Sequence, residues 1–159
     1  MNVYFDTEFT GLHKDTTLIS IGCVDENGRT FYAELADYDE SQVDNWILEN
    51  VISHLKFANT PQSEPVINVY ENGWEVYGDK EQVREVLRDW LSKYDSVQLI
   101  SDVCHYDMVL FIDLFGSAFD LSREKILNDF EVNIEGDKHN SLYDAKVIGT
   151  IYNEIIEHE

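Results

Sequence analysis

The apolar positions of the chain fall into short runs first and helical stripes later. Val3-Tyr4-Phe5 opens a strand-type run that passes at once into the polar stretch "DTEFTGL". Thr17-Leu18-Ile19-Ser20-Ile21-Gly22-Cys23-Val24 is a second strand-type run. "DENG", from Asp25 to Gly28, has the chemistry of a tight turn, and Thr30 to Leu35 follows as a third strand. The first third therefore predicts three antiparallel strands. Between Ser41 and Leu55 the positions Val43, Trp46, Ile47, Val51 and Leu55 recur at helical spacing. Residues 59–77 hold both prolines and "NVYENGWEVYG", a stretch that fits a loop or a small hairpin turning at "ENG".

Asp79 with Gln82 three residues on is a capping box. The helix it starts carries Val83, Val86, Leu87, Trp90, Leu91 and Tyr94 on one wide apolar face. Val97 to Ser101 reads as a short buried strand, and Met108 to Phe115 as a buried helix stopped by Gly116. Leu142 to Ile156 reads as a last helix, with Leu142, Ala145, Ile148, Ile151, Tyr152, Ile155 and Ile156 on its inner side. The expected fold is α/β: a mixed central sheet flanked by helices, as one domain over residues 1–159.

Charge changes this picture. The chain carries 32 acidic residues against 11 lysines and arginines, a net charge of −21. Hydrophobic residues make up 43% of it, which keeps it out of the disordered acidic class. Such a surface does not coat nucleic acid by counterion release, so any polyanionic ligand would be held locally. No basic leader precedes the first strand and no run reaches ~18 apolar residues, so no membrane association is expected. Cys23 and Cys104 form no paired motif. They suit a reducing compartment, and a cytoplasmic protein is expected.

The acids themselves stand in awkward places. Asp6 and Glu8 alternate along a strand, so their side chains share one face, with Cα atoms roughly 6.5–7 Å apart. Two carboxylates aimed into one space at the end of a buried strand call for a cation. A calcium loop would place a bidentate Glu at its twelfth position, where Thr17 stands, and a helix before it. Ordinary loop acids remain an alternative for the pair alone. Asp107 sits at the front of a greasy helix in "SDVCHYDMVLF", with Asp102 as a competing candidate at the strand end. A plain helix-dipole acid would also fit Asp107. In "KHNSLYDAKVIGTI", Asp144 follows Ser141 with capping-box spacing but lies on the inner side of its helix; His139 precedes it by five residues.

Together "FDTEFTGL", "HYDMVLF" and "HNSLYDA" resemble the DEDDh 3′–5′ exonucleases of the RNase H-like (DnaQ-like) fold. The small bacterial and phage branch that includes exoribonucleases is the most similar. Phe9 stands where many relatives carry Thr, and Ser141 where Ala is usual. The resemblance implies Asp6, Glu8, Asp107 and Asp144 as ligands of two Mg²⁺ or Mn²⁺ ions, and His139 as general base. It also implies a substrate-binding role for Phe9, Thr10 and Leu12 against the terminal nucleotide. The partners it implies are single-stranded RNA 3′ ends, with DNA and pairing into a homodimer left open. A silent binding protein that keeps the fold, or another metal-dependent phosphoesterase acting on nucleotides, would be the alternatives.

Overall fold

The structure is a computed structural model that describes residues 1–57, 64–116, 124–126, 140–142, 145–146 and 149. Its first three strands are those the apolar runs predict: β1 (Asn2–Phe9), β2 (Leu18–Asp25) and β3 (Thr30–Leu35). They pair antiparallel, with Asp6 opposite Gly22 and Glu8 opposite Ser20. Asp25 builds the β2–β3 turn by accepting from the backbone N–H groups of Asn27 and Arg29.

The segment after β3 departs from the single helix expected over 41–55. Short 3-10 turns at Glu40–Gln42 and Ile52–His54 flank a brief α1 (Asn45–Asn50). Asp39 and Asp44 explain the breaks. Each caps a new start, Asp39 accepting from Ser41 N–H and Asp44 from Ile47 N–H. The "ENG" stretch is a hairpin, β4 (Val66–Tyr70) with β5 (Gly73–Gly78), and β5 runs parallel to β3. The capping box of Asp79 and Gln82 is formed, and α2 spans Lys80–Leu91. β6 (Val97–Ile100) pairs parallel with β1. α3 (Cys104–Phe115) starts a turn earlier than its apolar run, because polar residues fill that first turn.

Among the described residues seven strands form one mixed sheet, ordered β4-β5-β3-β2-β1-β6-β7, with β7 at Glu124–Ile126. Val3, Phe5, Ile21, Cys23, Phe31 and Ala33 meet α2 and α3 across one face; Phe5 abuts Phe111 edge-on at 5.1 Å. The opposite face carries two smaller clusters. Ile19 packs with Ile47, Val51 and Leu55, and Tyr4 with Val24, Ile100 and Ala145. Residues 141–142, 145–146 and 149 are helical and lie on this second face, so helices cover the sheet from both sides. This is the α/β architecture of the RNase H-like exonuclease fold. No helix among the described residues is long and apolar enough to cross a membrane.

Candidate active site

Strand alternation sorts β1 into two faces. Val3, Phe5 and Thr7 turn toward α2 and α3, while Tyr4, Asp6 and Glu8 turn toward the second face. A register shift between Glu8 and Phe9 then bends the strand out of the sheet. The chain leaves through Gly11, whose φ of 151° favours glycine. Thr10 fixes this exit. It is buried; its hydroxyl donates to Gln42 Oε1 at 2.5 Å and accepts from Thr17 N–H at 2.8 Å. Thr10 therefore shapes the loop without lining the cleft. Leu12 beyond it is 74% exposed.

Asp107 reaches the same place from α3. Only 3% exposed, it accepts hydrogen bonds from Thr7 Oγ1 at 2.6 Å and from Ser101 Oγ. Burial pushes its carboxyl up to about 6; the two hydroxyl hydrogen bonds oppose that rise, and the charge of Asp102 adds to it. Asp6, Asp102 and Asp107 each place a carboxylate oxygen within 4.8 Å of the others. Glu8 shares the strand face of Asp6 and is buried. The structure thus brings together Asp6 and Asp107 as expected, and adds Asp102, which the sequence leaves only as a competitor. The signal for Asp102 was its position: it directly follows the Ser101 that binds Asp107, at the end of the strand parallel to β1.

An acid cluster of this kind fits a divalent metal. Its donors are all hard carboxylate oxygens, and one of them is held in a site that disfavours its own ionised form until a cation arrives. His139 and Asp144 lie outside the described residues. The chain that flanks them is described, and it crosses the acid-bearing face. Gly22, opposite Asp6, lies so close under the backbone of Ser141 and Leu142 that a Cβ there would collide with it. Ser20, opposite Glu8, meets Ser141 hydroxyl to hydroxyl at 3.3 Å.

A cleft of about 480 Å³ opens beside the cluster, between Asp6, Glu8, Phe9 and Leu12 on one side and Trp46 and Ile47 on the other. Trp46 is 53% exposed at its rim. Trp46 stands in the first turn of α1, which places it along the cleft wall. The α1 wall is latched to the sheet by a buried acid that sequence reading passed over. Glu34 accepts from the backbone N–H groups of Lys56 and Phe57 and from the Tyr32 hydroxyl at 2.7 Å. Burial and that acid together push the Tyr32 hydroxyl up.

The family model of the Rv2179c-like 3′-5′ exoribonuclease domain matches residues 1–156. The chain belongs to this family. Among curated proteins it is similar to the 3′-5′ exoribonuclease Rv2179c of Mycobacterium tuberculosis strain ATCC 25618 / H37Rv, with 30% identity over 118 residues. The same figures hold for the 3′-5′ exoribonuclease MT2234.1 of strain CDC 1551 / Oshkosh. The match covers 73% of this chain and 62% of each relative, so the chain spans about three-fifths of the length of the curated relatives it matches. The acid cluster, the cleft and the exposed Leu12 of this Rv2179c-like domain all sit at one end of β1.

Proposed function

We propose that this Rv2179c-like domain is a divalent-metal-dependent 3′–5′ exoribonuclease of the DEDDh type, acting on single-stranded 3′ ends and favouring RNA over DNA. The observation that carries the reading is the acid cluster at the mouth of a cleft, on the strand and helix where the family motifs fall. Asp6, Glu8, Asp107 and Asp144 would hold two Mg²⁺ or Mn²⁺ ions, with Asp102 beside them. Such ions, when bound, lower the pKa of water and neutralise charge on the phosphate.

The remaining work falls to this chain's own groups. His139 takes the proton of the attacking water as it adds to the phosphorus of the terminal phosphodiester. The bond from phosphorus to the upstream 3′-oxygen breaks in line, and that oxygen gains a proton from solvent. The products are a nucleoside 5′-monophosphate and a strand shorter by one. Phe9 and Leu12 border the cleft and offer apolar surface to the terminal base, while Trp46 offers a ring from the α1 side. Cations held by these acids would also reconcile a phosphate substrate with a net charge of −21, because attraction would be confined to the cleft.

The test is digestion of matched single-stranded RNA and DNA oligomers, labelled at the 5′ end, with Mn²⁺. A ladder shortening from the 3′ end, faster on RNA and lost in Asp6→Ala, is expected. Internal cuts, or no cleavage of either strand, would overturn the reading.

A further inference from the structure

The two walls of the cleft come from parts of the chain that the sheet does not hold together. One is the ridge of Phe9, Gly11 and Leu12, beyond the register shift that bends β1 out of the sheet. The other is α1 with Trp46 and Ile47, which rests on the sheet through the apolar cluster of Ile19, Ile47, Val51 and Leu55. Apolar packing is non-directional, so it fixes the spacing of the two walls only loosely. Directional contacts set it instead.

Gln42 supplies them. It is half-buried in the 3-10 turn Glu40–Gln42, two residues before the Asp44 that caps α1. Its amide is used from both ends. Nε2 donates to the Asp15 carbonyl at 3.0 Å and to Asp39 Oδ2 at 2.9 Å, while Oε1 accepts from the Thr10 hydroxyl at 2.5 Å. Two acceptors beside the nitrogen fix which way the amide points, so the hydrogen of Thr10 is committed to Gln42. Thr10 stands inside the ridge, between Phe9 and Gly11, and Asp15 on the returning arm of the same loop. The neighbours reinforce the tie. Thr17 N–H donates to Thr10 Oγ1 at 2.8 Å, and the Thr17 hydroxyl accepts from Asp39 N–H at 2.9 Å. Thr16 Oγ1 accepts from Gly11 N–H at 3.1 Å. One side chain therefore holds both arms of the ridge loop to the turn from which α1 starts.

We propose that Gln42 is a positioning residue that fixes the distance between the Phe9–Leu12 ridge and the Trp46 wall, and so the width of the slot for the terminal nucleoside. The inference rests on the exonuclease reading and adds to it a residue outside the acid- and histidine-bearing motifs. Gln42 acts through Thr10 and through the start of α1. Thr10 thereby gains a role as well: it serves the ridge from behind. A wall that touches the nucleoside equally in the bound state and in the transition state contributes to KM and leaves kcat alone. Asp6, Glu8 and Asp107 keep their places when the tie is cut, because β1 before the shift and α3 hold them.

The experiment measures kcat and KM on a 5′-labelled single-stranded RNA oligomer with Mn²⁺. The chains compared are wild type, Gln42→Leu, Thr10→Val, the double variant and Thr10→Ser. Tm and Mn²⁺ affinity are recorded for each, and the kinetics are run well below the lowest Tm. Leu and Val keep the approximate side-chain volumes and remove the polar ends. Gln42→Leu and Thr10→Val should each raise KM by about tenfold, equivalent to about 1.4 kcal/mol. Their kcat should stay within about threefold of wild type, with Mn²⁺ affinity unchanged. The double variant should be no worse than Gln42→Leu alone, because both changes cut one tie. Thr10→Ser keeps the hydroxyl and should restore KM. If Gln42→Leu does not fold, Gln42→Asn takes its place under the same criteria, since its shorter amide cannot keep all three bonds. An unchanged KM, losses that multiply in the double variant, or a fall in kcat as large as the rise in KM would overturn the proposal while leaving the exonuclease reading intact. A wild-type chain that leaves the oligomer uncut would sink the exonuclease reading, and this proposal with it.

Discussion

Replacing Asp107 by Asn should stabilise the metal-free protein at neutral pH, although it removes a group assigned to metal binding. The carboxyl is buried and titrates near 6 in the folded chain, against 3.8 for an ordinary aspartate. A raised folded-state pKa means that the protonated acid supports the fold. That support is complete below about pH 4 and is lost as pH rises through 6. At about 1.4 kcal/mol per pH unit, the ionised carboxylate costs the fold about 3 kcal/mol by pH 7. An asparagine stays neutral, accepts from Thr7, and can donate to a Ser101 hydroxyl that has rotated to accept. The assay is paired denaturation of wild type and Asp107→Asn in chelator, from pH 4 to pH 8. The stability difference should open from near zero at pH 4 to about 3 kcal/mol at pH 8, or about 6–12 °C in Tm for a chain of this size. Adding Mn²⁺ at pH 8 should reverse the order, since only the wild type gains from binding. A difference that stays flat with pH would refute the argument that burial of Asp107 sets its titration.

Other expectations concern neighbouring groups. Asp102→Asn should weaken Mn²⁺ binding by about tenfold in calorimetry, as loss of a group beside metal ligands does; an unchanged affinity would return Asp102 to the bystander role that sequence reading preferred. Gly22→Ala should cost about 1–3 kcal/mol and most of the activity, because the added carbon meets the backbone of Ser141 and Leu142. Full activity in that variant would mean that the segment crossing Gly22 does not matter to catalysis. His139→Ala should lower kcat by about 10²–10⁴-fold with Mn²⁺ affinity retained; lost affinity would make His139 a ligand. With Ca²⁺ replacing Mg²⁺, the dissociation constant of an oligonucleotide should rise only shallowly with salt, because 11 lysines and arginines stand against 32 acids; a slope implying six or more phosphate contacts would contradict attraction confined to the acid-lined cleft.

The parts of the fold legible in the sequence are those whose signal is local. β2 and β3 run apolar between turn residues, so their limits lie within a residue of expectation; α2 begins at its own capping box but ends at Leu91, short of the Tyr94 expected on its face. The stretch from Ser41 to Leu55 misled because an apolar period of three to four also suits a chain of short turns. Its caps, Asp39 and Asp44, decided the matter. Strand order was not legible. Nothing in "GWEVYG" announces that β5 would lie parallel to β3 and leave β4 at the edge with Ile67 and Val69 exposed. β7, three residues long, is too short for a period to register.

Legibility of the candidate site follows the same division. Asp6 and Glu8 could be placed on one face from their spacing alone, because strand alternation is a local rule. Asp107 could not be ranked above Asp102 by geometry until β6 was seen to run parallel to β1. That pairing delivers Ser101, Asp102 and the first turn of α3 to the strand that carries Asp6. Gly22 carries the corresponding message for the last motif. It looked like one more small residue within a buried run, yet its register opposite Asp6 is what lets the chain around Ser141 cross directly above the acids. The β1–β2 register thus couples the acid-bearing end of β1 to the segment around Ser141 and Leu142. A cavity-forming change at Tyr4 or Val24, which pack with Ala145 on that face, should loosen the last motif without touching an acid.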